Sequence, residues 1–577
     1  MELRWLLAWA FFAFLGCALA KSTFHWTKYQ LKDNALKEKF ICTESDFSSR
    51  YGHKLRIIRC SRGHPTAHIF TVGPAAGESS TYWIKRLGDM EKIYGTDFVL
   101  YAMDLRGSGG ASRFTDTATD MSWTSSDFES LQTTDGKLEI SELNLDGLSM
   151  DVEELVEGVK GEGGFTGTVH LHARSFGSQI AGRLMERDKK FFKSVLIESH
   201  LPSKKLFELQ NDVGFLDLCA KDDFCRSQFG GMDPKLSRNI ISSLSSAGYN
   251  ECAVALMETL KKGDLGLLIH NQSDHLLLGE FLSPILHGKT EVEGSPHSAL
   301  LVLPFLSAAY MCPDVGKFKN VILPAMVGLY KKQSVGRLES FEKGETEMNR
   351  AANAWLMSKE VFRMSSEDRE QKHICHTPAP LGLSVPCVLY QHYYNYYKKM
   401  KKSLGRPSVS EEVFKHEGEI IFVGGALDLL CPLRPTMNAY ESAEGSKKHL
   451  LAFNNLGHHP LGDSKCAKHI GAQLLGRGDA EAADGCVKEE NSTKIKWSTI
   501  QPSWWAGSAT GTTGSNNLED KLSTATRDGK GFFSTWAWWE IILGVLMGTS
   551  IIAIIVGLAW YLGRRSVTAN CSIIASP

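Results

Sequence analysis

Apolar residues along this chain gather in short, compact runs that predict the strands of a sheet. Two early segments, 40–45 and 54–60, alternate between polar and apolar side chains, as in strands with one buried face. Helical spacing of apolar residues predicts one helix that begins at Ser149 as its cap and another over 180–186. Continuous apolar runs, typical of buried parallel strands, lie at 68–72, 98–103, 169–173, 191–197, 419–423 and 450–453. The alternation predicts a mostly parallel sheet with helices on its faces.

The pattern changes between residues 200 and 417. Long helical stretches dominate there, and strand-like runs return only at 419–423. We therefore interpret 21–199 and 418–487 as two parts of one α/β core, and 200–417 as a helical cap inserted between them. A separate domain of unrelated role is the alternative, but the return of strand-like runs favours an insertion.

Both ends of the chain carry apolar segments typical of membrane targeting. Residues 1–20 combine a basic residue, an apolar run and a small-residue cleavage site, which predicts a secretory signal cleaved after Ala20; an uncleaved anchor is the alternative. Residues 541–562 form an apolar run of about 22 residues, enough to cross a hydrocarbon core of about 30 Å. Gly544 and Gly548 have the spacing of a helix-dimerisation motif, which leaves a homodimer open.

The segments after the core predict a single-pass type I membrane protein. Residues 488–532 are rich in Ser, Thr, Gly and Asn and predict a flexible stalk. The transmembrane helix is expected within 533–563, and Arg564 and Arg565 directly after it place the tail, 564–577, in the cytosol. The core would then be extracellular or in the lumen of the secretory or endolysosomal system. A lipid-anchor signal is a lesser alternative, because a polar tail follows the apolar run.

Composition narrows the class of protein. A formal net charge of −1 and a hydrophobic share of 43% exclude a nucleic-acid-binding or disordered chain. Of the 13 cysteines, Cys17 lies in the signal and Cys571 beyond the span, so the oxidising compartment holds an odd number. Several disulfides and at least one thiol without an intramolecular partner are expected. Asn271 and Asn491 begin acceptor tripeptides for glycosylation.

Ser175 is the candidate nucleophile. The stretch 168–182 predicts a strand that runs into Ser175 on a sharp turn and then into a helix. Its setting, Ala173 to Gly177, is a near match to the G-x-S-x-G elbow of α/β-hydrolases. A serine that merely ends a strand is the competing interpretation.

A base and an acid follow the serine in the order that this fold uses. An acyl-transfer serine needs a base to take its proton and an acid to orient that base, in the chain order Ser, Asp, His. Asp428 lies in the loop after the predicted strand 419–423, and His458 lies after the last predicted strand. His459 is the alternative base if that loop is shifted by one residue. Their order and positions favour a catalytic triad.

Five motifs, taken together, carry a resemblance to a known family. They are Asp104 to Gly109 (Asp-x-Arg-Gly-x-Gly), Ser175 to Ser178 (similar to Ser-Tyr-Gly-Gly), Cys219 to Cys225 (Cys-Ala-x-Asp-x-x-Cys), Asp428 to Pro432 (Asp-x-x-x-Pro), and Gly457-His458 followed by Cys466 and Cys486. In these motifs the chain resembles the proline iminopeptidase and tripeptidyl aminopeptidase branch of the α/β-hydrolases, which are serine exopeptidases acting on peptide N-termini. The closing segment resembles that of the tripeptidyl aminopeptidases.

The resemblance implies an α/β-hydrolase fold with Ser175 as nucleophile, Asp428 as orienting acid and His458 as base. It also implies disulfides between Cys219 and Cys225 and between Cys466 and Cys486; metal ligation by these pairs is not expected, and neither is a cofactor. A peptide is the implied substrate. Candidate acids for its amino terminus are Glu280 and Glu291.

The chain departs from the family pattern around the oxyanion hole. Ala173 replaces a glycine before the elbow, and Pro74 to Gly77 stands where the family has Gly-Gly-Pro-Gly. The amide of Phe176 is the expected first donor to the oxyanion, and that of Ala75 the second. The departures leave three functions open: a membrane-anchored aminopeptidase, a lipid or small-ester hydrolase on the same fold, and a catalytically impaired binding ectodomain.

Overall fold

The computed structural model describes parts of the chain between residues 24 and 492, all within the first of its two units, Met1–Ser508. The described residues are 24–50, 52–63, 65–73, 79–109, 114, 136, 139–163, 165–188, 190–202, 219, 222–231, 240–246, 248–262, 265, 274–287, 299–331, 350–364, 394, 397–398, 414–428, 431–445 and 447–492. Within them, no helix combines the length and apolar character needed to cross a membrane. The predicted signal, transmembrane span and tail lie outside the described residues.

A sheet of nine strands forms the centre of the described chain. The strands are β1 Thr27–Lys28, β2 Ile41–Ser48, β3 Lys54–Ser61, β4 Ala67–Val72, β5 Val99–Met103, β6 Thr168–Arg174, β7 Ser194–Glu198, β8 Glu419–Gly425 and β9 Lys447–Phe453. Their order is β1-β2-β3-β5-β4-β6-β7-β8-β9. Pairing is antiparallel from β1 to β5 and parallel from β5 to β9. The predicted mostly parallel sheet is therefore confirmed.

The burial of each strand follows its position in the sheet. Every residue of β4, β5 and β7 is buried, as expected for strands covered on both faces, whereas β2 mixes buried and exposed positions near the edge. The strand order reverses at β4, which has β5 on one side and β6 on the other. In open α/β sheets the crevice at such a reversal, outside the carboxyl ends of the strands, is the usual place for a ligand.

Helices cover both faces of the sheet. The described helices are α1 Asn34–Lys39, α2 Thr81–Ile84, α3 Leu87–Tyr94, α4 Leu145–Lys160, α5 Gly177–Arg187, α6 Asp223–Ser227, α7 Ile240–Leu244, α8 Glu251–Lys261, α9 Asp274–His287, α10 Ala299–Met311, α11 Val315–Lys317, α12 Arg350–Leu356, α13 Leu433–Ser442, α14 Pro460–Asp463, α15 Ala467–Leu474 and α16 Ala480–Ser492. Helices α4 and α5 share one hydrophobic cluster with the sheet, and α3, α15 and α16 share another.

Two predicted boundaries differ from the structure. Helix α4 begins at Leu145 rather than at Ser149, because the Asn144 side chain accepts a hydrogen bond from the Gly147 amide at 2.8 Å and caps the helix earlier. Helix α16 continues to Ser492, so the first residues of the predicted stalk at 488–532 are helical. Asn491 holds this end of α16 to β9 through two hydrogen bonds, to Asn454 and Ala452.

The cap is inserted between two neighbouring strands. The chain leaves the sheet after β7 and returns to β8, which pairs directly with β7. Described parts of the intervening residues form helices α6 to α12, and most of these pack around a hydrophobic cluster of their own. Leu427, which directly precedes Asp428, also belongs to this cluster. The cap core therefore reaches the loop that carries the predicted catalytic acid.

Four disulfides join described cysteines. They link Cys42 to Cys60, Cys219 to Cys225, Cys252 to Cys312 and Cys466 to Cys486. The second and fourth are the pairs that the family resemblance implied. Among the described cysteines, Cys431 is a free, buried thiol.

Candidate active site

Ser175 occupies a strained turn at the carboxyl end of the sheet. It follows β6 directly, lies in the left-handed region with φ of +48°, and precedes α5. Non-glycine residues adopt such angles rarely, and the nucleophile elbow of α/β-hydrolases is one place that requires them. The residue is buried, with 2% of it exposed.

Gly177 allows the turn to lie against the neighbouring strand. A Cβ atom at this position would lie 2.4 Å from the Val72 carbonyl oxygen and 2.8 Å from that of Gly73. Both are backbone atoms at the end of β4, so they cannot move aside easily. A side chain here would push the elbow away from the loop after β4.

We expect Gly177→Ala to lower the free energy of unfolding by about 1–3 kcal/mol, the usual cost of forcing an extra carbon into a packed site, and to reduce any hydrolytic activity. The matched control is Gly88→Ala, also in the first turn of a helix. A Cβ at Gly88 meets no atom within 4 Å, and alanine there should stabilise α3 by about 0.5–1 kcal/mol. Urea titration of both variants measures the difference. Equal stability of the two variants would contradict the proposed packing.

Asp428 and His458 meet at the same edge of the sheet. Asp428 follows β8, and its Oδ1 accepts a hydrogen bond from the Cys431 amide at 2.8 Å. Its Oδ2 lies 2.8 Å from His458 Nδ1. A carboxylate can only accept, so Nδ1 carries the proton and Nε2 is left as the acceptor that a general base needs. The carboxylate is fully buried, while 13% of the His458 side chain is exposed.

The structure places His458, rather than the neighbouring His459, on Asp428. His459 lies at the start of α14, with its ring centre 5.1 Å from that of His458. Its Nδ1 is buried and has no hydrogen-bond partner among the described residues. The geometry therefore favours His458 as the base.

A free thiol lies against the candidate nucleophile. Cys431 Sγ is 3.3 Å from Ser175 Oγ, and the cysteine is completely buried. Burial and the nearby Asp428 carboxylate raise the pKa of the Cys431 thiol well above its ordinary value. The thiol is therefore protonated at neutral pH, which favours Ser175 over Cys431 as the nucleophile.

An ion pair buried behind the elbow holds the histidine loop. Arg174, the residue before Ser175, lies 3.6 Å from Glu198, and both side chains are almost fully buried. Arg174 Nη2 donates to the His458 carbonyl oxygen at 3.1 Å, and the Ser199 hydroxyl donates to the same oxygen at 3.1 Å. Arg174 and Ser199 thus fix the backbone of His458 relative to the elbow.

Glu198 is the centre of this buried network. It accepts hydrogen bonds from His172 Nε2 at 3.0 Å and from the Leu461 amide at 3.1 Å. Burial alone would raise the pKa of Glu198, but the Arg174 charge and the His172 hydrogen bond outweigh it and lower the pKa to about 2. The carboxylate is therefore charged at neutral pH. No sequence motif predicts this network; its one signal in the sequence is a pair of opposite charges at the ends of two predicted strands.

One of the two predicted oxyanion donors is described. Phe176 precedes the first turn of α5, where the amides of a helix have no partner within the helix and favour negative charge. Ala75 lies outside the described residues. The segment directly after its loop is anchored, because the Asp104 carboxylate accepts hydrogen bonds from the Ser80 amide and hydroxyl, each at 2.7 Å.

The other predicted site residues lie away from this centre or outside the described residues. Asn271, Glu291 and the side chain of Glu280 are not described. Asn491 is on α16, and its side-chain nitrogen donates to the Ala452 carbonyl oxygen at 2.8 Å. The nitrogen that would carry a sugar is thus already engaged, and glycosylation at Asn491 stays a prediction.

Comparisons with known proteins find matches among solved structures only. No family model and no curated protein sequence matches the chain. Solved structures similar to it include an esterase from Exiguobacterium antarcticum, with 10% identity and a TM-score of 0.28, covering 72% of this chain and 92% of that one. A Bacillus megaterium epoxide hydrolase has 13% identity and a TM-score of 0.28, with 72% and 93% covered. A peroxisomal α/β-hydrolase from Saccharomyces cerevisiae has 8% identity and a TM-score of 0.27, with 89% and 97% covered.

The fold assignment rests on the chain's own geometry. The parallel strands, the strained serine between β6 and α5, and the chain order of Ser175, Asp428 and His458 at one sheet edge are those of an α/β-hydrolase. The predicted α/β-hydrolase fold with a mostly parallel sheet is therefore supported.

Proposed function

We propose that this protein is a serine hydrolase in which Ser175 is the nucleophile, His458 the general base and Asp428 the acid that orients it. The observation that carries the proposal is the 2.8 Å contact between Asp428 and His458 Nδ1 at the edge where Ser175 sits in its strained turn. It supports the proposal because a histidine held by a buried carboxylate near an elbow serine is the pairing of base and orienting acid that acyl transfer uses.

Catalysis would begin when the Ser175 hydroxyl turns from Cys431 towards His458 Nε2. His458 takes the hydroxyl proton as Oγ bonds to the substrate carbonyl carbon, and Asp428 stabilises the imidazolium. The carbonyl oxygen becomes an oxyanion beside the Phe176 amide. Collapse breaks the bond to the leaving group, which receives the proton from His458. Water then attacks the acyl-enzyme with His458 again as base, and Ser175 recovers its proton.

The substrate we favour is a peptide with a free amino terminus, from which the enzyme releases short N-terminal pieces. The motifs shared with the proline iminopeptidase and tripeptidyl aminopeptidase branch support this choice, and a cap over the catalytic edge suits recognition of a chain end. We also propose that the protein is anchored in a membrane with this domain in an oxidising compartment. The four disulfides support that location.

A lipid or small ester is the second candidate substrate. The observation in its favour is Leu427, which places the hydrophobic cap cluster next to Asp428. An apolar acyl chain would gain from burial against such a surface, and the same triad cleaves esters and amides.

Substrate profiling separates these candidates. Purified full-length protein would be offered peptides with free amino termini, the same peptides acetylated at the N-terminus, and acyl esters of increasing chain length. The proposal predicts that the free peptides are cleaved, that acetylation abolishes cleavage, and that Ser175→Ala is inactive. Cleavage of esters alone would establish the second candidate. No cleavage of either class would indicate a binding ectodomain.

A further inference from the structure

Three side chains that could bind a metal ion converge at the catalytic edge. Asp428, Cys431 and His458 each present one ligand atom, and these atoms all lie within 4.8 Å of one another. Two of the three are triad members. The third, Cys431, has no evident part in acyl transfer, although it is completely buried and directly contacts Ser175.

The chemistry of this set suits a soft divalent cation. A thiolate, an imidazole nitrogen and a carboxylate oxygen are the donors that Zn²⁺ uses, at about 2.3, 2.0 and 2.0–2.2 Å respectively, in a tetrahedral arrangement. Neighbouring ligand atoms in such a site are about 3.3–3.6 Å apart, as follows from those bond lengths. The Asp428–His458 contact of 2.8 Å and the Cys431–Ser175 contact of 3.3 Å are already close to this spacing. The three ligand atoms lie within 4.8 Å of one another, so side-chain movements of roughly 1 Å would bring them to the spacing of a tetrahedral site. Such movements are small beside the coordinate bonds gained.

We propose that Asp428, Cys431 and His458 form an inhibitory binding site for Zn²⁺ or a similarly soft divalent cation, with the fourth position directed at Ser175 Oγ. The partly exposed edge of His458 offers the route of entry. Metal binding does not depend on the proposed function, whereas the inhibition of hydrolysis rests on that function.

Binding would stop catalysis by occupying the groups that move the proton. If the ion binds His458 Nε2, the base loses its lone pair. If it binds Nδ1, the proton there shifts to Nε2, and the ring again cannot accept the proton of Ser175. In either case Cys431 changes from thiol to thiolate, so one proton leaves to the solvent for each ion bound.

The ligand types set the selectivity. Thiolate and imidazole favour Zn²⁺ and Cd²⁺ over Mg²⁺ and Ca²⁺, which prefer sites built of oxygen ligands. Mg²⁺ should therefore neither bind here nor inhibit.

Calorimetric titration tests the inference without any substrate. The full-length protein, stripped of metal with a chelator, would be titrated with zinc chloride and with magnesium chloride. We expect one Zn²⁺ per chain, release of about one proton when buffers of different ionisation enthalpy are compared, and no heat from Mg²⁺. Titration with Co²⁺ should produce a thiolate-to-cobalt charge-transfer band in the near ultraviolet.

Two replacements of Cys431 make the test specific. Cys431→Ser and Cys431→Ala should each weaken Zn²⁺ binding by at least about tenfold and should remove the cobalt band. Removing even a residue that only hydrogen-bonds to a metal ligand costs about tenfold or more in affinity, and Cys431 is itself a ligand in this proposal. The matched control His469→Ala deletes an exposed histidine on α15 and should leave the affinity unchanged. Unchanged affinity in both Cys431 variants, or no stoichiometric Zn²⁺ binding by the wild-type protein, would overturn the inference.

Inhibition is measured separately. The rate of hydrolysis of each protein with Zn²⁺ is compared with the rate of the same protein without metal. Zn²⁺ should inhibit the wild-type enzyme, and inhibition of the Cys431 variants should need a Zn²⁺ concentration at least about tenfold higher. If Zn²⁺ binds through Cys431 but the protein hydrolyses nothing, the metal site stands and the proposed function fails. If hydrolysis is observed but no Zn²⁺ binds, the proposed function stands and the metal site fails.

Discussion

Replacing Ser175 with alanine is expected to lower kcat for hydrolysis by about 10⁴- to 10⁶-fold, the range seen when an acyl-transfer nucleophile is removed. The reason is that His458 and Asp428 have no function without a hydroxyl to activate. The fold should be retained, because alanine removes only the hydroxyl and its single contact with Cys431. Steady-state kinetics on the best substrate from profiling, together with thermal unfolding, measures both quantities.

The control for this prediction is Ser149→Ala. Ser149 is a completely buried serine within α4, where its hydroxyl donates to the Asp146 carbonyl oxygen. It lies in the helix rather than at the sheet edge, so kcat should stay near the wild-type value. Loss of activity in Ser149→Ala with retention in Ser175→Ala would show that the nucleophile has been misplaced.

Breaking the ion pair behind the elbow should be the most destabilising single change. Arg174→Met leaves Glu198 charged and buried without its cation, and we expect the free energy of unfolding to fall by about 3–5 kcal/mol. The matched control is Arg187→Met, which removes a partly exposed pair with Glu153 and should cost less than about 1 kcal/mol. Chemical denaturation measures both. A cost for Arg174→Met as small as that of Arg187→Met would contradict the assignment of a buried, charged pair.

A double variant separates the role of the pair in stability from its role in catalysis. Arg174→Met with Glu198→Gln removes both charges, so it should be less destabilised than Arg174→Met alone. It still lacks the hydrogen bond from Arg174 to the His458 carbonyl oxygen. Activity should therefore remain low although stability partly recovers. Full recovery of kcat in the double variant would show that Arg174 does not position His458.

The ion pair between Arg174 and Glu198 predicts that the stability of the protein depends on pH. The pKa of Glu198 is about 2 in the folded protein against an ordinary value of 4.5, so its contribution is present above pH 4.5 and is lost as the pH falls towards 2. This difference in pKa corresponds to about 3 kcal/mol. Glu198→Gln should remove this part of the pH dependence. Identical acid profiles for the variant and the wild-type protein would contradict a charged Glu198.

Much of the fold follows from local patterns in the sequence. Buried parallel strands are covered on both faces, so β4, β6, β7 and β8 appear as continuous apolar runs that periodicity detects directly. The cap at Asn144 does not follow from the sequence, because Ser149 is an equally good capping residue by type. Only the packing of Leu145 and Leu148 in the core decides between the two.

The triad could be predicted for a different reason. Ser175, Asp428 and His458 each follow a strand, and the fold restricts their order along the chain. The Arg174–Glu198 pair has no such rule: the two residues are 24 positions apart, and the register of β6 against β7 places them opposite one another. Cys431 was likewise unassigned, since its contact with Ser175 depends on tertiary packing that no local pattern in the sequence indicates.

Labelling with a fluorophosphonate probe tests the central claim most directly. Such a probe phosphonylates only a serine that is activated by a working base and supported by oxyanion donors. We predict that the wild-type protein is labelled, that mass spectrometry of its peptides locates the label on Ser175, and that Ser175→Ala and His458→Ala are not labelled. A folded wild-type protein that remains unlabelled, or a label on any other residue, would contradict the account.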